Sequence, residues 1–262
     1  MMGTYPRETF TIAVECLGVH IAVECRPAEA AAVSAHVPFG STPASPADAS
    51  HKFIFEADAR ADELFRVRRC SPARPLPWQR MPAALRTLQK ELHICVAEYA
   101  TTRVFIHAGV ITWRNCTVVL PGFSHAGKST LVWSLVQAGA VYYSDEYAVF
   151  DENGDVHPFT LPISLRGIGG ETRFVDPNRR GSGPVAPSVI AFAKYKPGSV
   201  WMPRSLSPAE SMLQLVRHSI AIRRHPSIVL PILKTISLQT QAFSGRRGEA
   251  AQILHWLNEL EQ

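Results

Sequence analysis

The sequence predicts an α/β fold with α+β character, in which a β-rich N-terminal module precedes a phosphate-loop core with C-terminal helices. Three observations predict it. Residues 10–67 contain short runs of alternating apolar and polar side chains, residues 117–138 form a strand–turn–helix pattern, and residues 207–260 have helical spacing. We therefore assign residues 1–100 to the module, which ends in a helix, and residues 101–262 to the core.

The N-terminal module is predicted to be mostly β-structure. Alternation predicts strands at residues 10–14, 20–25, 52–56 and 64–67. Residues 38–50 are rich in Pro, Ser and Ala and predict a loop, and the prolines of residues 72–77 mark a second break. Apolar side chains at helical spacing, such as Leu85, Leu88 and Leu92, then predict a helix over residues 82–99.

The core is predicted to alternate strands with helices. The expected strands are residues 104–106, 110–113, 117–120, 141–143, 147–150, 156–157 and 189–193. The dipeptide Asn153-Gly154 predicts a hairpin turn between two of them. Residues 165–184, rich in Gly and Arg, predict a loop. The capping box of Ser207 and Glu210, with Pro208 between them, opens a predicted helix over residues 207–222. Two more helices are expected at residues 227–238 and 248–260.

One motif points to chemistry. After an apolar strand, and before a helix that ends at Gly139, the chain fits the pattern G-x-x-x-x-G-K-[ST]. The predicted nucleotide-binding residues are Gly122, Phe123, Ser124, His125, Ala126, Gly127, Lys128, Ser129 and Thr130. Such a loop turns its N–H groups inward around a polyphosphate, and the helix N-terminus adds partial positive charge. Lys128 would reach the β- and γ-phosphates of ATP, and Ser129 would offer its hydroxyl to Mg²⁺.

Bulk composition excludes several other classes of protein. The chain has 262 residues, a net charge of +5 and ordinary apolar and charged fractions. No apolar run approaches the roughly 20 residues of a membrane span, and the polar first ten residues lack the apolar core of a signal peptide. Five scattered cysteines without a C-x-x-C pair favour reduced thiols and a cytoplasmic protein. No aromatic-basic motif supports nucleic acid as a partner.

Residues outside the loop complete the candidate site. Asp145 follows the strand after the loop helix, where α/β sheets place their ligands. It could hold Mg²⁺ or orient the attacking hydroxyl, or it could be a turn aspartate that caps a hairpin. Its neighbour Glu146 either assists the metal or is solvated. His107 is either a core histidine bonded to the backbone or a functional group. Arg166 and Arg173 could neutralise charge in the transition state, or could be surface arginines in a flexible loop.

Four segments, in this order and spacing, resemble the C-terminal domain of HPr kinase/phosphorylase and its kinase-like relatives. The resemblance covers residues 105–170, and the matching segments are His107-Ala108-Gly109, Gly122 to Thr130, Ser144-Asp145-Glu146 and Leu165-Arg166-Gly167. The rest of the chain looks more like the shortened HPr-kinase-related proteins, some of which accompany lasso-peptide biosynthesis and phosphorylate a peptide serine.

The resemblance implies an HPr-kinase-like P-loop core and roles for several residues. Asp145 would act as base toward an acceptor serine hydroxyl, with His107, Lys128 and Arg166 as further catalytic residues. Ser129, Asp145 and Glu146 would hold Mg²⁺, and ATP would be the phosphoryl donor. The partner would be a peptide or protein with an acceptor serine, such as a biosynthetic precursor peptide. That family often forms oligomers, so the resemblance also allows a homo-oligomer.

Two positions depart from the family pattern, and three functions stay open. Glu146 stands where the family has a second aspartate, and Ser164 stands where it has a glutamate. The first function is an ATP-dependent kinase acting on a hydroxyl, of a peptide or protein serine or of a small molecule. The second is a nucleotide-binding ATPase or switch protein. The third is a catalytically inactive relative that binds a partner.

Overall fold

The computed structural model describes residues 8–58, 61, 63–123, 126–165 and 172–260. Its contacts divide the chain into two compact units, Met1–Thr101 and Thr102–Gln262. That these units act as separate domains stays a prediction. The architecture is mixed α/β, with the α+β character expected from the sequence. Within the described ranges, no helix combines the length and apolarity needed to cross a membrane.

The described residues of the first unit form a seven-stranded sheet and two α-helices. Its strands are β1 (Phe10–Cys16), β2 (Val19–Cys25), β3 (Thr42–Pro43), β4 (His51–Ala57), β5 (Leu64–Cys70), β6 (Ala73–Pro75) and β7 (Gln79–Arg80). Its helices are α1 (Ala30–Ser34) and α2 (Met81–Tyr99), besides two 3₁₀ turns at Pro27–Glu29 and Pro46–Asp48. The strand order is β3-β1-β2-β4-β5-β6 with β7 beside β5, and only the β2–β4 pair is parallel.

Alternating burial explains this sheet. In β4, Phe53 and Phe55 are almost fully buried, while Ile54 and Glu56, which alternate with them, are partly exposed. Helix α2 packs against β5 and β2 and buries Leu88 and Leu92 from its apolar stripe. All four strands and the helix predicted in this unit are therefore confirmed, because their side-chain periods match those of a half-buried sheet and an amphipathic helix.

The second unit contains eleven strands and four α-helices among its described residues. Its strands are β8 (Val104–Ile106), β9 (Ala108–Trp113), β10 (Cys116–Pro121), β11 (Val141–Ser144), β12 (Ala148–Phe150), β13 (Val156–His157), β14 (Ile163–Ser164), β15 (Thr172–Arg173), β16 (Val189–Tyr195), β17 (Arg204–Leu206) and β18 (Gln241–Arg247). Its helices are α3 (Lys128–Ala138), α4 (Pro208–His218), α5 (Pro226–Gln239) and α6 (Ala250–Leu260), with a 3₁₀ turn at Pro177–Arg179.

A six-stranded sheet of order β11-β9-β10-β16-β18-β17 organises this unit. Strands β10, β16 and β18 are parallel neighbours. Strand β9 runs antiparallel to both β10 and β11, so β11 points the same way as β10. The carboxyl ends of β10, β11, β16 and β18 consequently meet at one edge of the sheet, which is the edge where open α/β sheets bind ligands.

Both faces of the central strands are buried. Val118 and Leu120 of β10 pack on the side of α3 and α6, whereas Val119 packs on the opposite side with α4, α5 and the β8–β12 strand pair. Burial on both faces explains why β10 reads as a continuous apolar run rather than an alternating one. It also anchors the segment that follows β10 in a rigid layer.

Three features of this unit differ from the sequence prediction. The helix predicted to reach residue 222 ends at His218, because Ser219 bridges to Ile106 and the Ile220 N–H donates to the Phe105 carbonyl, so the backbone pairs with β8 instead. The predicted loop over residues 165–184 contains β15 and a 3₁₀ turn. Strands β14, β17 and β18 were not predicted. The remaining predicted strands and helices of the core are confirmed, including the hairpin of β12 and β13.

Candidate active site

The predicted phosphate loop joins β10 to α3. Gly127 is the N-cap of α3, has φ 75°, and leads directly into Lys128 at the helix start. The N–H of Ala126 donates to the Phe123 carbonyl over 3.2 Å, which closes a turn within the loop. Ser124 and His125 lie outside the described residues. A helix N-terminus with unpaired N–H groups at the end of a buried strand is a ready anion site.

His107 forms hydrogen bonds with Gly122, the first residue of this loop. Its Nδ1 lies 2.7 Å from the Gly122 carbonyl oxygen, while the Gly122 N–H donates to the His107 carbonyl over 3.2 Å. Burial and the nearby Lys128 ammonium lower the His107 pKa, although the Glu146 carboxylate opposes them. Because a carbonyl can only accept, Nδ1 carries the proton of the neutral ring, and Nε2 is left as an acceptor.

Gly109 allows α3 to approach the sheet closely. A Cβ at Gly109 would lie 2.5 Å from Val132 Cγ2 and 3.5 Å from both Lys128 Cγ and the Ser144 carbonyl oxygen. No side chain fits between β9 and the first turn of α3. Gly109, two residues after His107, therefore determines how closely the N-terminal end of α3, which carries Lys128, approaches the sheet.

Lys128 and Asp145 come together beside the loop. Lys128 Nζ lies 3.9 Å from Asp145 Oδ1, and both side chains are less than 10 % exposed, at 8 % and 7 %. Asp145 follows β11, in a turn held by Ser144, whose hydroxyl donates to the Tyr147 carbonyl over 2.6 Å and accepts its N–H over 3.1 Å. The turn thus aims a buried carboxylate at the loop lysine.

The oxygen donors of this turn suit a hard divalent cation. Glu146, adjacent to Asp145, is half-buried, and so is Ser129 in the first turn of α3. Carboxylate and hydroxyl oxygens are the ligands that Mg²⁺ prefers. Among the described residues, no group of three or more His, Cys, Asp or Glu side chains could hold a metal alone. This donor set therefore fits a metal whose other ligands are phosphate oxygens and water.

A cleft of about 620 Å³ opens on the other side of the loop. Its walls come from the loop, from the ends of β16 and β18, and from α4. Three basic side chains line it, Lys194, Arg217 and Arg246, together with the aromatic rings of Phe123 and Phe192. The loop thus lies between this cleft and Asp145, because β16 and β18 flank β10 on one side and β9 and β11 flank it on the other.

His218 forms part of the wall of this cleft. Its ring lies 4.3 Å from the Phe123 ring and 6.2 Å from the Phe192 ring, centroid to centroid. Burial, followed by electrostatic interactions with His107, Arg217 and Lys128, lowers the His218 pKa from 6.5 to about 4. The cleft wall therefore disfavours an additional positive charge, and His218 is neutral at pH 7.

Replacing His218 with phenylalanine should reduce the loss of stability in mild acid. Above pH 6.5 the ring is neutral in both states, but between pH 6.5 and about 4 the unfolded chain binds a proton that the folded protein does not. The free energy of unfolding should therefore fall by up to about 1.4 kcal/mol per pH unit because of this residue. Urea unfolding at pH 7, 6 and 5 measures the slope, with exposed His255→Phe as the control. An unchanged slope in His218→Phe would contradict the assigned pKa.

The two candidate arginines have different outcomes. Arg166 lies outside the described residues, so its predicted role stays a prediction. Arg173 lies on β15, exposed, with its guanidinium carbon 5.9 Å from the centre of the Trp133 ring on α3. The structure therefore places Arg173 against the outer part of the helix that begins at Lys128.

Sequence reasoning missed the residues contributed by β18. Arg247, at its end, is 3 % exposed and donates from Nη2 to the Gly127 carbonyl over 2.7 Å. Tyr195, its register partner on β16, lies beneath the guanidinium. The signal was weak because the strand sequence QAFSGRR is polar and contains glycine, both of which are unusual in a sheet interior.

Comparison with known proteins leaves the family open. No family model and no curated protein matches the chain. Among solved structures, the Hpr(Ser) kinase/phosphatase from Coxiella burnetii matches with a TM-score of 0.33 and 10 % sequence identity, covering 60 % of this chain and 92 % of that one. A similarity this distant assigns neither the family nor the lasso-peptide type suggested by the motifs.

Proposed function

We propose that this protein is an ATP- and Mg²⁺-dependent kinase that transfers the γ-phosphoryl group to a hydroxyl, in the first instance a serine of a peptide or protein. One observation carries the proposal: the loop lysine at a helix N-terminus faces a buried aspartate, with 3.9 Å between Lys128 Nζ and Asp145 Oδ1. A lysine so placed binds the phosphate to be transferred, and a carboxylate beside it can receive the proton of the attacking hydroxyl.

The described residues suggest how the donor lies. The γ-phosphate must be next to Asp145, so the rest of the nucleotide extends to the other side of the loop. The cleft on that side has room for a nucleoside, with Phe123 and Phe192 available for contact with the base. Lys194, Arg217 and Arg246 also line this cleft, and its described lining contains no carboxylate, so the charge of the cleft favours the phosphates.

The chemistry follows from this arrangement. The acceptor oxygen attacks the γ-phosphorus in line, the bond from that phosphorus to the β–γ bridging oxygen breaks, and ADP leaves. Asp145 receives the hydroxyl proton, while Lys128 and the loop amides balance the charge on the phosphate oxygens. Mg²⁺, held by Ser129 and the carboxylates of Asp145 and Glu146, would neutralise phosphate charge when bound. His107 would act through Gly122, whose carbonyl it holds.

The experiment that tests the proposal follows labelled phosphate from γ-labelled ATP. Purified protein with Mg²⁺ is incubated with candidate acceptors: a precursor peptide containing serine, HPr protein, and free serine as a small-molecule hydroxyl. Label on one acceptor supports the kinase, and label on free serine alone identifies a small-molecule kinase. Label released only as inorganic phosphate, at the same rate with and without acceptors, would replace the proposal with the ATPase or switch function.

A further inference from the structure

Arg247 occupies an unusual position for a charged side chain. It is the last residue of β18 and is 3 % exposed. Its Nη1 donates to the Gly248 carbonyl over 2.9 Å, and its Nη2 to the Gly127 carbonyl over 2.7 Å. The guanidinium carbon lies 5.2 Å from the centre of the Tyr195 ring. The parallel strands β16 and β18 thus end in Tyr195 and Arg247. The tyrosine ring packs against the guanidinium, which in turn binds one peptide of the phosphate loop.

The peptide bound by Arg247 is the one that joins Gly127 to Lys128. Its carbonyl also accepts the Leu131 N–H over 3.1 Å, as expected for the N-cap of α3. In a trans peptide the carbonyl and the N–H of the next residue point in opposite directions. With the carbonyl held by Leu131 and Arg247, the Lys128 N–H is turned the other way, out of the helix end and toward the place where an anion binds.

The packing around Gly127 leaves little freedom for another arrangement. A Cβ at this glycine would lie 3.1 Å from Arg247 Nη2 and 3.1 Å from Tyr195 Cβ, and its φ of 75° disfavours other residues. Burial lowers the Arg247 pKa, with Glu249 acting in the opposite direction. The protein thus keeps a desolvated guanidinium beside the loop, where its charge also favours a bound anion.

We propose that Arg247 is a positioning residue of the phosphate loop: it holds the Gly127 carbonyl so that the Lys128 N–H faces the bound polyphosphate, and it does not contact the nucleotide. The inference rests on the part of the proposed function that assigns phosphate binding to this loop. It does not depend on the acceptor.

The test compares Mg-ADP with magnesium pyrophosphate as ligands. In Arg247→Met we expect both to bind about 10- to 100-fold more weakly, by the same factor, because a charge-assisted hydrogen bond that shapes the phosphate site is lost. Arg247→Lys should recover part of the affinity. Tyr195→Leu should weaken both ligands and Tyr195→Phe should not. The control, Arg204→Met, removes an exposed arginine of the neighbouring strand β17, which pairs with Glu210 of α4, and should bind like wild type.

Binding is measured by calorimetry and by the shift in melting temperature that each ligand produces. Affinities within about threefold of wild type, with only a lower melting temperature, would show a merely structural role and overturn the proposal. Weaker ADP with unchanged pyrophosphate would overturn it too, because that pattern indicates a contact with the nucleoside. If Arg247→Met does not fold, Arg247→Lys and Tyr195→Leu decide by the same criteria. A wild-type protein that binds neither ligand defeats both proposals, whereas one that binds both but transfers nothing defeats only the kinase.

Discussion

Replacing Asp145 with asparagine should lower the rate of phosphoryl transfer by about 10²- to 10⁴-fold, the usual contribution of a general base. The amide has nearly the same size, so it fits the buried turn held by Ser144, but it cannot take a proton from the acceptor. It also removes the negative charge that faces Lys128 over 3.9 Å. The affinity for nucleotide should therefore change far less than the turnover number.

Steady-state kinetics with whichever candidate acceptor takes the label, together with ADP binding, separates these two effects. Asp48→Asn, an exposed aspartate of the first unit, is the matched control and should behave like wild type. A variant with full turnover would show that Asp145 is not the base and would reduce its role to holding Lys128 or the metal.

Replacing Lys128 with alanine should remove nucleotide binding as well as transfer. The Lys128 side chain is 8 % exposed and lies at the start of α3, so its ammonium is the cation best placed to meet the β- and γ-phosphates. We expect kcat/KM to fall by about 10²- to 10³-fold, as when a preorganised donor is removed from a charged transition state. The melting temperature should also fall, because the buried Asp145 carboxylate loses this cation.

Equilibrium dialysis with labelled ATP and thermal melting without ligand measure the two effects. Lys234→Ala, which removes an exposed lysine from α5, is the control for loss of a positive charge. If Lys128→Ala binds ATP as wild type does, the run from Gly122 to Thr130 is a strand-to-helix turn with an incidental lysine, and the kinase proposal fails.

The parts of the site that local sequence determines were predictable. The strand, loop and helix around Lys128 follow each other directly, so glycine spacing and apolar pattern together define them. Asp145 was predictable because it directly follows the next strand along the chain, and the structure brings it to Lys128. The roles of both residues stay predictions until they are measured.

The parts that depend on distant pairing could not be predicted. Strand β18 has little β-propensity of its own, and it is stabilised by seven register pairs with β16. For the same reason the sequence did not predict the roles of two residues of this strand, Arg247 and Arg246, the second of which lines the cleft. Similarly, the capping box correctly marks the start of α4, but its end at His218 is determined by backbone pairing with β8, which no local pattern signals.

The contact between Arg247 and Gly127 joins residues 120 positions apart in the chain. During synthesis, strand β10, the loop and helix α3 therefore leave the ribosome long before β18, the strand that carries Arg247. The second unit also pairs β10 with β16 across a long crossover, so its folding must wait for non-local contacts to form. Nascent chains that stop short of residue 247 should lack a finished anion site. Nucleotide would then act as a ligand of the completed protein and would give no help to its early folding.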